Sequence, residues 1–364
     1  MSNSLSRMAT RLAYVATQVP RVAWYVGHDY LMRQLAAQAH SGRRNSEPRT
    51  DSASAQPPRT ANAPVLDQWQ IYADLAALLA QDLANIEAGL YPLPDDHDGT
   101  LLTRLHRSRL FFDDLPAVHR RRERNAYREV LTEATAGRRP EYYLQNFHYQ
   151  SGGWLTEDSA DRYDTQVEVL FKGSANAMRR QALPPLREVF AGRDQRRLQF
   201  IDLACGTGRF LDFVKQTWPR LRVVGLDLSE AYCRHARRHL NRWSRVNLTV
   251  GNAEAIPAPD NSFDAATCIF TFHELPQQAR GNVIRECARV LKPGGRFVLL
   301  DSLQRGDVRD YDGILERFPQ NYHEPYYGSY ISEDFSAIAR RFGLMHKRDV
   351  TAFVSKVMVF DKIR

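Results

Sequence analysis

Gly206 and Gly208 lie in the run Phe200-Ile-Asp-Leu-Ala-Cys-Gly-Thr-Gly-Arg-Phe210, where a short apolar stretch gives way to a Gly-x-Gly turn and then to a helical pattern. Glycine at such a turn lets a ligand approach the backbone, because a side chain there would occupy the ligand's volume. A dinucleotide fingerprint would place a third glycine where Leu211 stands, so nicotinamide and flavin dinucleotides are disfavoured. Asp202, in the strand leading into the turn, would sit beside the amino-acid end of a ligand and orient an ammonium. Further on, Asp227 closes a second apolar run, Val223-Val-Gly-Leu-Asp227. A carboxylate there can accept both hydroxyl protons of a ribose, two vicinal donors matching two acceptor oxygens.

Three more pieces follow in order: Gly251-Asn-Ala-Glu-Ala-Ile-Pro257, Asp260-Asn-Ser-Phe-Asp264 and Leu291-Lys-Pro-Gly-Gly-Arg-Phe297. In order and spacing the five resemble the class I S-adenosylmethionine-dependent methyltransferases, and among them the ubiquinone/menaquinone C-methyltransferase group. The resemblance covers residues 198 to 361 and leaves 1 to 160 unexplained. It implies S-adenosyl-L-methionine as cofactor, with Asp202, Ala204, Gly206 and Gly208 along the methionine portion and Asp227 on the ribose. It further implies Asn252, Ala253 and Glu254 around the adenine, and Phe270 near the methyl group. Two positions depart from the family pattern. Ala204 replaces the usual first glycine, a one-methyl change expected to be tolerated. Asn252 replaces an aspartate that receives the adenine amino group; its amide oxygen can still accept, without the charge.

Methyl transfer from a sulfonium is an in-line displacement with a neutral leaving group, so the protein must mainly align donor and acceptor and exclude water. A base is needed only where the acceptor must lose a proton. His273, in Phe270-Thr-Phe-His-Glu-Leu275 after the fourth strand, is the candidate base, set against a hydrogen-bonded structural histidine. His148, Tyr163, Tyr326 and Tyr327 are candidate walls of the substrate pocket. The Leu291 to Gly295 turn and Asp264 read as structural. No metal is expected, since Cys205, Cys233, Cys268 and Cys287 form no CxxC pair and have no close His partner. The same spacing argues against a disulfide scaffold and suits a reducing compartment.

The elements that must position these residues alternate. Strand-like runs at 198–203, 222–227, 246–250, 263–270, 296–301, 344–350 and 353–361 are separated by helical stretches at 210–218, 230–241, 277–291 and 333–342. Alternation of this kind predicts an α/β fold: a Rossmann-like, doubly wound, mostly parallel seven-stranded sheet whose last two runs form an antiparallel edge hairpin. Residues 198–364 are thus the expected methyltransferase domain. A helical N-terminal extension and aromatic lid (65–197) precedes it. In that extension, helices are expected from Asp67, at Leu101 to Leu110, and at Pro116 to Ala136. The lid carries Tyr142, Tyr143, Phe147, His148, Tyr149, Trp154, Tyr163 and Phe171. Residues 41–64, poor in large apolar side chains, read as a disordered linker.

Residues 1–40 form a basic amphipathic leader, with Leu5, Met8, Leu12, Val15, Val19 and Val22 at helical spacing and Pro20 expected to kink or split it. Three readings stay open: a helix lying on an anionic membrane, a helix docked on the body, or, in a eukaryote, an organelle transit peptide. Residues 1–64 are expected to be dispensable for folding and for cofactor affinity, since the linker contributes no core. The protein is accordingly expected in the cytoplasm, at the cytoplasmic face of a membrane if the leader binds lipid, and in a mitochondrion or plastid if the leader is a transit peptide.

The formal charge of +8 does not point to nucleic acid. Residues 1–64 hold eight Arg against Asp29, Glu47 and Asp51, so little of the excess remains for the catalytic half. A base-holding Asn-Pro-Pro-Tyr-like motif is also missing. The activity expected is methyl transfer to a small, apolar or lipid- or quinone-like acceptor. The alternatives are an inactive S-adenosylmethionine-binding accessory protein, against which Gly206, Gly208 and Asp227 stand intact, and, less favoured, a nucleic-acid methyltransferase. The oligomeric state is not legible.

Overall fold

Seven apolar runs become seven strands of one sheet: β1 (Gln199–Leu203), β2 (Arg222–Asp227), β3 (Val246–Val250), β4 (Phe263–Ile269), β5 (Leu291–Ser302), β6 (Leu344–Ala352) and β7 (Ser355–Lys362). The computed structural model describes residues 2–44, 67–96 and 98–363. The strand order is β3-β2-β1-β4-β5-β7-β6. The first five strands pair in parallel; β7 runs antiparallel to β5, and β6 antiparallel to β7. Chain direction therefore reverses its lateral progress between β1 and β4. In an open α/β sheet that switch point leaves a crevice at the carboxyl ends of the strands. The central strands read as unbroken apolar runs because helices cover both faces; β4 is buried along its whole length.

The helices, in chain order, are α1 (Ser2–Arg44), α2 (Gln68–Glu87), α3 (Leu101–Arg124), α4 (Glu157–Leu170), α5 (Ala175–Arg180), α6 (Leu183–Phe190), α7 (Arg209–Thr217), α8 (Glu230–His239), α9 (Gln277–Val290), α10 (Asp312–Asn321), α11 (Tyr327–Tyr330) and α12 (Phe335–Arg341). On one face of the sheet α9 and α12 bury Val283, Ile284, Cys287, Phe335 and Ala339 against Leu299, Phe297 and Phe360. On the other, α6 and α7 bury Leu186, Phe190, Leu211 and Val214 against Phe200, Val298 and Val359.

The N-terminal region differs from expectation in two places. Leu101 to Arg124 form one helix that runs through Pro116, not two helices, because Phe111, Leu115 and Val118 make one continuous buried face across the proline. It stops at Asn125, whose left-handed backbone caps it, and so the expected second helix does not reach Ala136. Likewise α1 passes Pro20 without splitting and extends to Arg44. The remainder of the expected linker, from residue 45, lies outside the described residues.

The docking of α1 inverts its apolar pattern. Tyr14, Gln18, Arg21, Tyr25 and His28, one face at helical spacing, are buried, while Met8, Leu12, Val15 and Val19 are exposed. The buried face is polar because its partners are polar. Tyr14 donates to Asp82 (2.7 Å) and Gln18 to Asp96 (2.6 Å), while His28 Nε2 meets the Ser108 hydroxyl (2.7 Å). Arg180 completes this network, reaching Asp82 (2.6 Å) and Asp96 (2.7 Å). No described helix is long and apolar enough to cross a membrane.

Candidate active site

The turn after β1 is built by left-handed residues. Ala204, Gly206 and Gly208 all have positive φ (52°, 54° and 80°), which folds the chain sharply enough to aim the start of α7 at the sheet edge. The two glycines serve different ends. A Cβ on Gly208 would lie 2.9 Å from Leu240 Cδ1 and 3.2 Å from Ala236 Cβ, so this residue lets α7 pack on α8. A Cβ on Gly206 would meet nothing nearer than Tyr232, at 4.0 Å, and would stand on the open side.

That open side is a cleft. Ala204, Gly206, Asp227, Asn252, Ala253 and Phe270 line it, as does Tyr163 from the lid. Asp227 accepts from the Gly206 N–H and the Ser229 N–H, both at 2.8 Å. Burial pushes its carboxyl up to about 6, against those two donors. Phe270, in a left-handed conformation at the end of β4, stacks on Phe171 with 5.6 Å between ring centres.

Asp202 and Glu254 stand behind the wall, while Asn252 lines it. Asp202 does not face the cleft; it accepts from Thr267 on the neighbouring strand at 2.6 Å and is buried, which raises its carboxyl to about 7. Asn252 uses its amide oxygen to accept from the Glu254 N–H (2.9 Å), folding the loop after β3. Glu254 is taken up by the Tyr142 hydroxyl (2.5 Å) and the Asn282 amide (2.8 Å), so the lid is tied to the loop that would meet the adenine.

His273 is not at the cleft surface either. Its Nδ1 lies 2.5 Å from Asp301 Oδ1, and although burial opposes the charge, that carboxylate raises the imidazole to about 9. Held by Asp301 and raised in this way, His273 keeps its proton near neutral pH, which favours the hydrogen-bonded structural reading over a free base. Tyr327 packs beside it, with its hydroxyl 2.6 Å from that of Ser302. Tyr326 sits against Tyr142, with 6.5 Å between ring centres. His148 lies between Trp154 and Tyr322.

The residue at the cleft that sequence reasoning passed over is Glu274, whose Oε2 accepts from the Trp154 indole N–H at 3.1 Å. Burial raises its carboxyl above the usual range. Glu324, also missed, stands next to it through His148. No local signal in the sequence marks either residue, because their common neighbour His148 lies in a distant segment.

A family model described as "Methyltransferase domain" matches residues 200–295, from β1 to the entry into β5. The demethylmenaquinone methyltransferase of Thermotoga maritima is 33% identical over 183 residues, 50% of this chain and 75% of that protein. The chain belongs to the class I S-adenosylmethionine-dependent methyltransferases. A second relative, the ubiquinone/menaquinone biosynthesis C-methyltransferase UbiE of Geobacter sulfurreducens, is 34% identical over 151 residues; here the chain spans 56% of the relative's length. The cofactor of this methyltransferase is S-adenosylmethionine, and the residues present fit it. Gly206 leaves its side of the cleft open to a close-lying ligand, and Asp227 places a half-buried carboxylate in the cleft wall, the acceptor a ribose-bearing cofactor would need.

Proposed function

We propose that the enzyme methylates an apolar, ring-bearing acceptor of the quinone kind, held between the carboxyl end of β4 and the aromatic lid. One observation carries this reading. Beyond the cofactor residues the cleft is walled by Tyr142, Tyr143, Phe147, Trp154 and Tyr163, a surface that favours a flat hydrophobic ring over a charged or strongly hydrated acceptor. The names of the relatives in Thermotoga and Geobacter agree with it.

Bound S-adenosylmethionine supplies a methyl group on a sulfonium, whose departure leaves a neutral thioether. The chain's own residues do the rest. Asp227 and the Gly206 backbone fix the donor, Phe270, backed by Phe171, closes the floor, and the lid rings exclude water and hold the acceptor ring in line. Glu274, kept in place by Trp154, is the carboxylate that reaches the acceptor's side of the cleft.

The outer face of α1 fits the same reading. Met8, Leu12, Val15 and Val19, all more than half exposed, form a stripe beside Arg7, suited to lie in the headgroup layer of an anionic membrane where a lipophilic acceptor would dissolve, while Arg11 is paired with Glu87. Methyl-labelled cofactor incubated with the enzyme and demethylated quinones, kept in the nucleophilic hydroquinone form by added dithionite, in anionic vesicles is the test. Label is expected in the organic extract. Label that enters only water-soluble products rules out the acceptor, and equal sedimentation with neutral and anionic vesicles, or with none, rules out the membrane face.

A further inference from the structure

Three separate segments converge beside the lid. His148 comes from the short turn Phe147–Tyr149, Glu274 from the turn Phe272–Glu274 that follows β4, and Glu324 from the link between α10 and α11. His148 Nε2 lies 3.0 Å from Glu324 Oε1 and 3.7 Å from Glu274 Oε1. One ligand atom from each residue falls within 4.8 Å of the other two. Donors bound to one cation at about 2.1 Å are separated by about 3.0 Å in cis and about 4.2 Å in trans, so small side-chain movements would bring these three onto one ion.

Glu324 is the decisive residue. It is 2% exposed, its two oxygens have no hydrogen bond, and His148 approaches one of them at ion-pair distance without hydrogen-bond alignment. Among the described residues, no Arg or Lys ion-pairs with Glu324 or Glu274. The buried Glu324 and the partly buried Glu274 share His148 as their common basic neighbour, and an ion bound by all three would give the unpaired Glu324 oxygens the partner they lack.

We propose that His148, Glu274 and Glu324 bind a divalent transition-metal cation at the wall of the cleft. One imidazole with two carboxylates suits Mn²⁺, Fe²⁺ or Zn²⁺ better than Ca²⁺ or Mg²⁺, which favour all-oxygen sets. The surroundings resemble an outer shell: Trp154 orients Glu274, and His273, 3.9 Å from Glu274 Oε1, is itself fixed by Asp301. Since Glu274 lines the cleft, coordination positions left open by the protein would face an oxygen of the acceptor. That last role rests on the reading of the cleft as the acceptor site; the metal site does not. It departs from the expectation that the chain holds no metal, which considered cysteine spacing and not carboxylates.

The test takes the full-length protein, freed of ions with a chelator, and titrates it with Mn²⁺, following free ion by paramagnetic resonance, and with Zn²⁺ by calorimetry. Neither cofactor nor acceptor is present. A single ion per chain is expected, with a Kd in the micromolar range or tighter, weakened by about 100-fold or more in Glu324→Gln. Absence of saturable binding up to millimolar ion, or unchanged binding by a folded Glu324→Gln, overturns the proposal. Should that variant fail to fold, Glu274→Gln is decisive in its place: loss of the ion supports the site and retention overturns it. Because no methyl transfer is read, failure of the acceptor assignment would leave this result intact.

Discussion

Arg21 of α1 and Glu168 of α4 form a buried ion pair, 2.6 Å between Nη2 and Oε1, each side chain 3% exposed. The same guanidinium donates to Asp98 at 2.9 Å and to the Gly173 carbonyl. Glu168 in turn accepts from the backbone N–H groups of Ala175 and Asn176, both at 3.1 Å, at the start of α5. The leader is thus joined to the segment that carries the lid into the catalytic domain.

The first prediction follows from that joint. Removing one partner of a buried pair strands the other, so Arg21→Ala should cost about 3–5 kcal/mol in urea unfolding. Deleting residues 1–44 should lower the melting temperature markedly, contrary to what the composition of the leader suggests. A loss under about 0.5 kcal/mol for Arg21→Ala would mean that α1 is held by other contacts or not at all.

Ala204 supplies the second. Its φ of 52° places a non-glycine residue in the left-handed region, at the position where the family usually has glycine. That conformation costs about 1–2 kcal/mol for an L-residue, partly offset by the larger unfolded-state entropy of glycine. Ala204→Gly should therefore stabilise the fold by about 0.5–1 kcal/mol with cofactor affinity unchanged. Destabilisation would show that the methyl group's packing outweighs the strain.

Gly206 and Gly208 separate binding from folding, which gives the third. Gly208→Ala forces contacts with Leu240 and Ala236 and should cost about 2–3 kcal/mol of stability. Gly206→Ala meets open space on the protein side and should stay folded, at about 1–2 kcal/mol of strain, while weakening S-adenosylmethionine by more than about tenfold, since the methyl enters the ligand's approach. Calorimetry together with thermal melting distinguishes the two. If both variants lose only stability, Gly206 is a folding residue.

How far the sequence carried this reading depends on how local each signal was. The strands were legible almost to the residue because apolar runs bounded by turns encode them directly; β2 and β3 begin and end where expected. Asp227 and Gly206 were legible because one turn fixes both, with the Gly206 N–H on the Asp227 carboxylate. Asp202 was not, since only its cross-strand bond to Thr267, 65 residues away, turns it from the cleft. Nor was the polar face of α1, whose partners Asp82 and Asp98 lie 68 and 77 residues downstream of Tyr14 and Arg21. Glu274 and Glu324 were hidden for the same reason: the grouping with His148 exists only after three distant segments meet.

The last prediction concerns the pH dependence of cofactor binding. In the free enzyme burial raises the Asp227 carboxyl to about 6, so below that pH it carries a proton and has lost one acceptor. Two ribose hydroxyls donating to the carboxylate favour its charged form, so binding below pH 6 must release the proton. Affinity should be level from pH 7 to 8 and then fall about tenfold for each unit below pH 6. Asp227→Asn keeps one acceptor oxygen and no titration. It should weaken binding by about 1–3 kcal/mol at pH 8 and remove the dependence near pH 6. Asp202, raised to about 7, remains in that variant, and any slope it adds should be centred higher and survive the substitution. Calorimetric titration of both proteins from pH 5 to pH 8 checks this. A level profile in the parent, or the same slope in Asp227→Asn, would remove Asp227 from the ribose.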